Sequence, residues 1–282
     1  MNHKALLGTA VAAALMFGAQ AASACAITAW SSVTGIVAAD ANNPTAGVKR
    51  YSGLCGLRVA DASTPRFVTD LTPNNEGSYR VRFYYFTGDI SGATAAIFQA
   101  RNTGGTNIIQ VTHNGTQLGI TANTGGAAQN VTVADNKWYA IELEWAAGAG
   151  TGTLTGRVTG AGSATPAGTI SFTNLANSAD SITEARMGII TGAPTLTAPV
   201  FFDEFDSRRT TSPGRLCRGD ANNDNNINVF DIGALVPEIQ QPTNAAVLTA
   251  GQPDFNEDGL TNVFDIGGLV PVIQANTACS AL

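Results

Sequence analysis

Lysine and histidine are almost missing from this 282-residue chain: Lys4, Lys49 and Lys137 are its only lysines, His3 and His113 its only histidines. With a formal net charge of −6 there is no basic stripe to follow a phosphate backbone, so no nucleic-acid partner is expected. Scarce histidine narrows the chemistry too. His113 alone would have to serve any Ser-His-Asp or Cys-His site, and no histidine cluster exists to bind zinc. Asn114-Gly115 follows it, a pair suited to the positive φ of a tight hairpin, so His113 is expected as a turn residue at the tip. Long apolar runs are lacking as well. The best, residues 5–19, is too short to span a bilayer, so no transmembrane segment is expected.

That run has another reading. Residues 1–24 carry His3 and Lys4, then the apolar stretch, then Ala22-Ser23-Ala24 before Cys25, the pattern of a secretory signal peptide cut at Cys25. A secreted product, extracellular or periplasmic, is expected. The alternative is lipoprotein processing, with a lipid on Cys25. Cys25, Cys55, Cys217 and Cys279 remain after export; an even count in an oxidising compartment implies two disulfides with three possible connectivities. Cys25–Cys55 and Cys217–Cys279 are favoured, because the second pair brackets a small C-terminal module that needs a clasp.

The module is marked by a repeat. DANNDNNINVFDIGALVPEIQ from Asp220 recurs as DFNEDGLTNVFDIGGLVPVIQ from Asp254, in constant register: Asp265 matches Asp231, and Pro271 matches Pro237. Constant register signals a duplicated supersecondary unit. Each copy places oxygen-bearing side chains at alternate positions, Asp220, Asn222 and Asp224, then Asp254, Asn256 and Asp258. Each closes with an acid at the twelfth loop position, Asp231 or Asp265, and the seventh-position carbonyls of Asn226 and Leu260 add further oxygens. An all-oxygen set on a short flexible loop suits calcium better than magnesium, so two calcium ions are expected. The sixth position needs positive φ, which Gly259 and Asn225 tolerate. A helical apolar pattern follows each loop (Phe230, Ala234, Leu235, Ile239; Phe264, Gly268, Leu269, Ile273), giving loop-then-helix twice. Proline inside each helix removes a donor and crowds the carbonyl four residues back, so both helices are expected to kink or end early.

On these residues the module resembles the type I dockerin family, whose repeats read D-x-N-x-D-G-x-(I/V)-N-x-x-D before a helix. Asp220, Asn222, Asp224, Ile227, Asn228 and Asp231 match, as do Asp254, Asn256, Asp258, Gly259, Asn262 and Asp265. The resemblance implies calcium binding and a cohesin-like or other protein partner. The chain departs from the family where small hydroxyl residues usually precede the closing acid: Val229-Phe230 and Val263-Phe264 stand there.

Upstream, residues 26–206 read as β-rich. Strand-like runs at 79–86, 95–100, 108–111, 117–121, 129–133, 138–145, 153–158, 169–172, 185–190 and 199–205 alternate with Gly-rich turns, and no long helix pattern interrupts them. In 138–145, Ile141, Leu143 and Trp145 share one face, Glu142 and Glu144 the other. The run from Asn136 through Trp138, with Phe201-Phe202-Asp203-Glu204-Phe205 as a closing strand, resembles laminin-G/concanavalin-type jelly rolls. The expected fold is therefore mainly β: a signal peptide (1–24), a jelly-roll sandwich (25–207), an exposed linker (208–216) and a small α-helical calcium module (217–282).

Carboxylates are the remaining catalytic candidates. Glycosidases need two acids flanking the bond, and Glu142 with Glu144, or Asp203, Glu204 and Asp206, could supply them; solvated strand-face acids are the expected reading. Trp30, Tyr51, Tyr84, Tyr85 and Trp138 could stack on sugar rings. The sequence is thus read as a secreted noncatalytic binding protein with a docking module, recognising a polysaccharide or a surface partner. The alternatives are a polysaccharide hydrolase or lyase on the sandwich, and a structural cell-surface protein.

Overall fold

Strands that turn alternate side chains to opposite faces dictate a two-layer architecture, and a computed structural model shows it. The structure describes residues 25–40, 49–160, 162–242 and 244–279, so the signal-peptide reading of 1–24 lies outside the described residues. Sixteen strands run β1 Ser32–Thr34, β2 Val37–Asp40, β3 Cys55–Val59, β4 Arg66–Asp70, β5 Ser78–Phe86, β6 Asp89–Ser91, β7 Ala95–Arg101, β8 Asn107–His113, β9 Gln117–Ala122, β10 Gln129–Thr132, β11 Trp138–Ala146, β12 Ala149–Gly160, β13 Gly168–Ala176, β14 Glu184–Thr191, β15 Thr195–Ala198 and β16 Val200–Arg208. One seven-stranded sheet has the order β1-β4-β14-β7-β8-β9-β10, and the other β13-β12-β11-β5-β16-β3-β2. β6 and β15 form a separate ribbon. All pairings are antiparallel.

The core lies between the sheets. Tyr79, Val81, Phe83 and Tyr85 of β5 meet Tyr139, Ile141, Leu143 and Trp145 of β11 and, from the opposite sheet, Ile97, Ile109 and Ile120. The outer face of β5, β11 and β16 is apolar at one end: Tyr84, Phe86, Trp138, Ala140 and Phe201 cluster there with Tyr51 and are buried. An apolar outer face must itself be covered, and the C-terminal module covers it.

In that module, helix α1 spans Val229–Gln240 and α2 spans Val263–Gln274. Each begins with a capping box: the Asn228 side chain accepts from the Phe230 amide while the Asp231 carboxylate accepts from the Asn228 amide, and Asn262 with Asp265 repeats the arrangement. The helices do not end at Pro237 and Pro271, so the early end, one of the two expected outcomes, does not occur. Both helices run three residues further, and Pro237 and Pro271 carbonyls accept from the amides of Gln241 and Ala275 at 3.0 Å. Each proline's crowded carbonyl belongs to Gly233 or Gly267, and both glycines are exposed with open space around them, so no side chain resists adjustment. The module's own core is small: Ala221, Leu235, Phe255 and Leu269.

Both disulfides are present, Cys25–Cys55 and Cys217–Cys279, with no free cysteine among the described residues. Cys25 sulfur is therefore committed and cannot carry a thioether lipid, which corrects the lipoprotein alternative. No described helix is long and apolar enough to cross a membrane.

The expected exposed linker is also corrected. Ser207 and Arg208 belong to β16; Arg208 and Thr210–Ser212 are exposed, and residues 213–217 then settle half-buried onto the sheet. Arg82 donates to the Gly214 carbonyl (2.9 Å), and the Leu216 amide donates to Tyr84 Oη (2.8 Å). The module is consequently fastened to the sandwich. Tyr51 Oη donates to Glu257 at 2.7 Å, the Gly162 amide donates to the other Glu257 oxygen at 2.9 Å, and the Trp138 amide donates to the Glu257 carbonyl at 3.1 Å. Arg50 and Glu238 form a buried ion pair between the two parts. Removing the Tyr51 hydroxyl leaves the buried Glu257 carboxylate short of a donor, a cost of about 1–3 kcal/mol. Tyr51→Phe is expected to speed proteolytic cleavage at Thr210–Ser212 without altering the β-sheet circular dichroism; unchanged cleavage would show that this contact does not fasten the module.

Candidate functional site

Two regions gather chemistry-bearing side chains: the repeated loops, and a cleft at one edge of the sandwich. In the first loop Asp220 caps two amides, of Asp224 (3.0 Å) and Asn225 (2.8 Å), and Asp231 caps those of Asn222 (3.3 Å) and Asn228 (2.8 Å). In the second, Asp254 caps Asp258 (3.0 Å) and Gly259 (2.6 Å), and Asp265 caps Asn256 (3.2 Å) and Asn262 (2.7 Å). The two loops are wound alike, as their common register requires. Asn226 and Leu260 sit at the seventh positions with their amides bonded to Asp224 and Asp258.

Among the described residues, no group of three or more His, Cys, Asp or Glu side chains is placed to hold one metal ion. Each loop does bring two carboxylates into the interior, Asp220 with Asp231 and Asp254 with Asp265, all buried. None of them has a cationic side chain in salt-bridge contact among the described ion pairs. Burial therefore pushes the carboxyls of Asp231 and Asp265 above the usual range, and Asp254 up to about 8, with the negative charge of Asp265 adding to the effect. Buried acids without cationic partners, amide oxygens of Asn222 and Asn256, and backbone carbonyls make a hard-oxygen donor set. That set fits a divalent cation such as calcium.

The copies differ in their neighbours. Position four of the second loop is Glu257, buried in the docking contacts; its counterpart Asn223 is exposed. Both hold positive φ, 56° and 62°. Gly259 has φ 83°, and a Cβ there would lie 2.5 Å from the Phe86 ring, whereas Asn225 at φ 63° is exposed. Glycine at the sixth position thus serves the docking as well as the turn. Lys49 donates to the Gly259 carbonyl, and burial lowers its pKa against the opposing pull of Asp254 and Asp258.

The second region is a cleft of about 400 Å³ lined by the N-terminal segment (Cys25, Ile27, Trp30), by β3, by Asp70 at the end of β4 and Thr72 beyond it, by Met187, and by Phe202 to Phe205 of β16. Trp30 and Phe205 pack with ring centroids 5.1 Å apart. β16 shifts register against β5 between Asp203 and Asp206, and Glu204 there takes φ 52°. Such a bulge re-aims side chains. Asp203 accepts amides from Tyr51 (2.7 Å), Ser52 (3.3 Å) and Glu204 (2.8 Å), so it ties the docking segment to β16. Its carboxyl is pushed up to about 7, by burial first and by Glu204 second, against those three amides. Asp70 is occupied by the amide and hydroxyl of Thr72.

The other sequence candidates fall elsewhere. Tyr51, Tyr84, Tyr85 and Trp138 are buried and present no stacking platform; only Trp30 is part-exposed. Tyr85 faces the core between the sheets, whereas Tyr51, Tyr84 and Trp138 lie on the outer face, which the docked module covers. His113 ends β8 inside the core rather than in the turn, 3.0 Å from Tyr85 Oη, and burial lowers its pKa to about 4. Glu142 and Glu144 line a groove with Arg157, on one face of one strand, with Glu144 held by Arg80 (3.4 Å) and the Ser212 hydroxyl (2.6 Å). Asp206 pairs with Arg208. Glu257, Arg50 and Glu238 carry the docking and had no signal in the sequence.

No family model matches the chain, and no curated protein matches it, so the dockerin resemblance stands on the motif residues alone. Solved structures do align. The cellulose-induced protein Cip1 shares 14% identity over 64% of this chain and 89% of its own, with a TM-score of 0.42. A Trypanosoma rangeli sialidase shares 17% over 55% of this chain and 26% of its own (TM-score 0.39). A botulinum neurotoxin type C structure, described as interacting with two ganglioside molecules, shares 10% over 62% and 42% (TM-score 0.39). This chain thus spans less than half of the latter two, and none of their ligands is transferred to it on that likeness.

The Asp203 carboxyl makes a pH prediction. Its folded pKa, about 7, lies above the ordinary 3.8, so its contribution is fully present below the ordinary value and is lost as pH rises through about 7. Asp203→Asn cannot titrate. Urea midpoints followed from acid to neutral pH are expected to fall more steeply for the wild type than for this variant; parallel slopes would refute the assignment.

Proposed function

We propose that this chain is a secreted, noncatalytic glycan-recognition protein whose C-terminal module is stabilised by two calcium ions. The observation that carries the recognition reading is the Trp30–Phe205 cleft, where an aromatic wall adjoins carboxylate acceptors. That is the pairing a sugar ring uses, apolar face against the ring and hydroxyls against the acceptors. The two disulfides support an oxidising, extracellular setting.

Noncatalytic is the better reading because the cleft's acids are already engaged. Asp203 is filled by three amides and Asp70 by Thr72, while Glu204 Oε2 faces Arg82 at 3.7 Å. A hydrolase needs one acid and one base facing the same bond. Cleavage of any polysaccharide that is abolished by Glu142→Gln, Glu144→Gln or Glu204→Gln would install the enzyme reading instead.

Calcium would be held by Asp220, Asn222, Asp224, Asp231 and the Asn226 carbonyl in one loop, and by Asp254, Asn256, Asp258, Asp265 and the Leu260 carbonyl in the other. The ion would supply the positive charge that four buried carboxylates need. Phe230 and Phe264, 71% and 73% exposed beside Val229 and Val263, support a protein partner for the helix starts, cohesin-like or otherwise.

Binding to the folded state alone stabilises it by about 4 kcal/mol when free calcium exceeds its dissociation constant a thousandfold. Calorimetry on the full chain is expected to find two ions, with one lost in Asp231→Ala and the other in Asp265→Ala. Chelation is expected to melt the helical signal, spare the β signal and red-shift the emission of Trp138 as the covering module loosens. No calcium heat, or an unchanged helical spectrum in chelator, would refute the calcium reading.

A further inference from the structure

The cleft's side chains set the sign of its ligand. Asp70, Asp203 and Glu204 line it together with Trp30, and no lysine, arginine or histidine does among the described residues. Arg82, standing behind Glu204 at 3.7 Å, is the nearest balance for one of the three acids, and its guanidinium is otherwise spent on the carbonyls of Glu204 and Gly214. The lining therefore accepts hydrogen bonds far more than it donates them. Thr72 gives its hydroxyl proton to Asp70, so it has none to offer a ligand.

Glu204 is the acid with the most acceptor capacity left. The register shift in β16 and its left-handed φ of 52° set it into the cleft wall, and Arg82 grips its carbonyl there (3.4 and 3.2 Å). Backbone held in that region by surrounding contacts is a feature of ligand-handling sites. A neutral sugar would meet these acceptors with uncharged donors only, and an anionic sugar would add repulsion. A protonated amine answers both problems, forming a charge-assisted bond to carboxylate and a favourable contact with the Trp30 face.

We infer that the Trp30–Glu204 cleft selects a cationic amino sugar, with the ring against Trp30 and its ammonium group on Glu204, and rejects anionic glycans. This rests on the glycan reading above and narrows it to one class. A sugar is favoured over a basic peptide because the Trp30–Phe205 wall and a volume of about 400 Å³ suit a ring rather than an extended side chain.

The test titrates the full-length secreted chain, by calorimetry, with a glucosamine oligomer, the N-acetylated oligomer of equal length, a neutral glucan oligomer, a uronate oligomer and a lysine oligomer. The amine-bearing sugar is expected to bind about tenfold or more tightly than its acetylated twin, as one charge-assisted contact would give. Glu204→Gln is expected to erase that preference, so that the amine-bearing oligomer binds no more tightly than its acetylated twin, and Trp30→Ala to weaken both. The preference should also shrink as salt is raised, a readout that needs no variant. Equal affinities, or tighter binding of the neutral or uronate oligomer, overturn the amino-sugar inference and leave glycan recognition standing. Tightest binding of the lysine oligomer, or no binding in any arm, overturns both.

Discussion

The architecture depends on one buried carboxylate. Glu257 stands inside the second repeat loop, yet its oxygens face away from that loop and into the sandwich, toward Tyr51, the Gly162 amide and Arg215. A carboxylate in such a place is tolerable only when donors surround it. The donors come from segments remote in sequence from one another and from Glu257. Moving the module would strand the charge, so this contact sets the module's position and not merely its attachment. Tyr51 stacks on Tyr84 and Trp138 packs edge-on against Tyr51 and Phe86, so the polar contact sits on an apolar floor that must stay covered.

From that constraint follows the inequality of two loops that look alike. The first is open to solvent around Asn223 and Asn225; the second is pressed against Phe86, Lys49 and the docking segment. A cation in the second loop would therefore be felt by the sandwich, and one in the first chiefly by the module. The same segment that bears Lys49, Arg50 and Tyr51 is tied by Asp203 to β16, whose bulge forms one wall of the edge cleft. Cleft, docking segment and second loop are thus joined through short, bonded steps. With the outer face of the second sheet roofed at its aromatic end, the edge cleft offers the sandwich a part-exposed aromatic surface for a ligand.

Much of this was legible in the chain. Alternation in 79–86 and 138–145 is written by the pleat itself, and Tyr79, Val81, Phe83 and Tyr85 of β5 with Tyr139, Ile141, Leu143 and Trp145 of β11 all join the core between the sheets. The earliest strands went unread because β1, β3 and β4 are short and mix glycine, arginine and threonine with few apolar residues, leaving no periodicity to detect. Prolines 237 and 271 misled, since the rule that proline breaks a helix assumes an i−4 neighbour that cannot yield, and here that neighbour is an open glycine. His113 misled in a different way: the turn residues after it were read correctly, but its own burial against Tyr85 depends on a strand distant in sequence.

Local order determined what the sequence could determine alone. Repeat register set the loops and capping boxes, because every partner there lies within a dozen residues along the chain. Strand alternation set which side chains share a face. Which faces are covered was decided only by the tertiary structure. Tyr84 and Glu144 stand on the same side of the same sheet, one buried and one exposed. The difference is made by a module that begins far downstream and is held by Tyr51 and Glu257. Burial is a property of what arrives from elsewhere in the chain, and no local pattern encodes it.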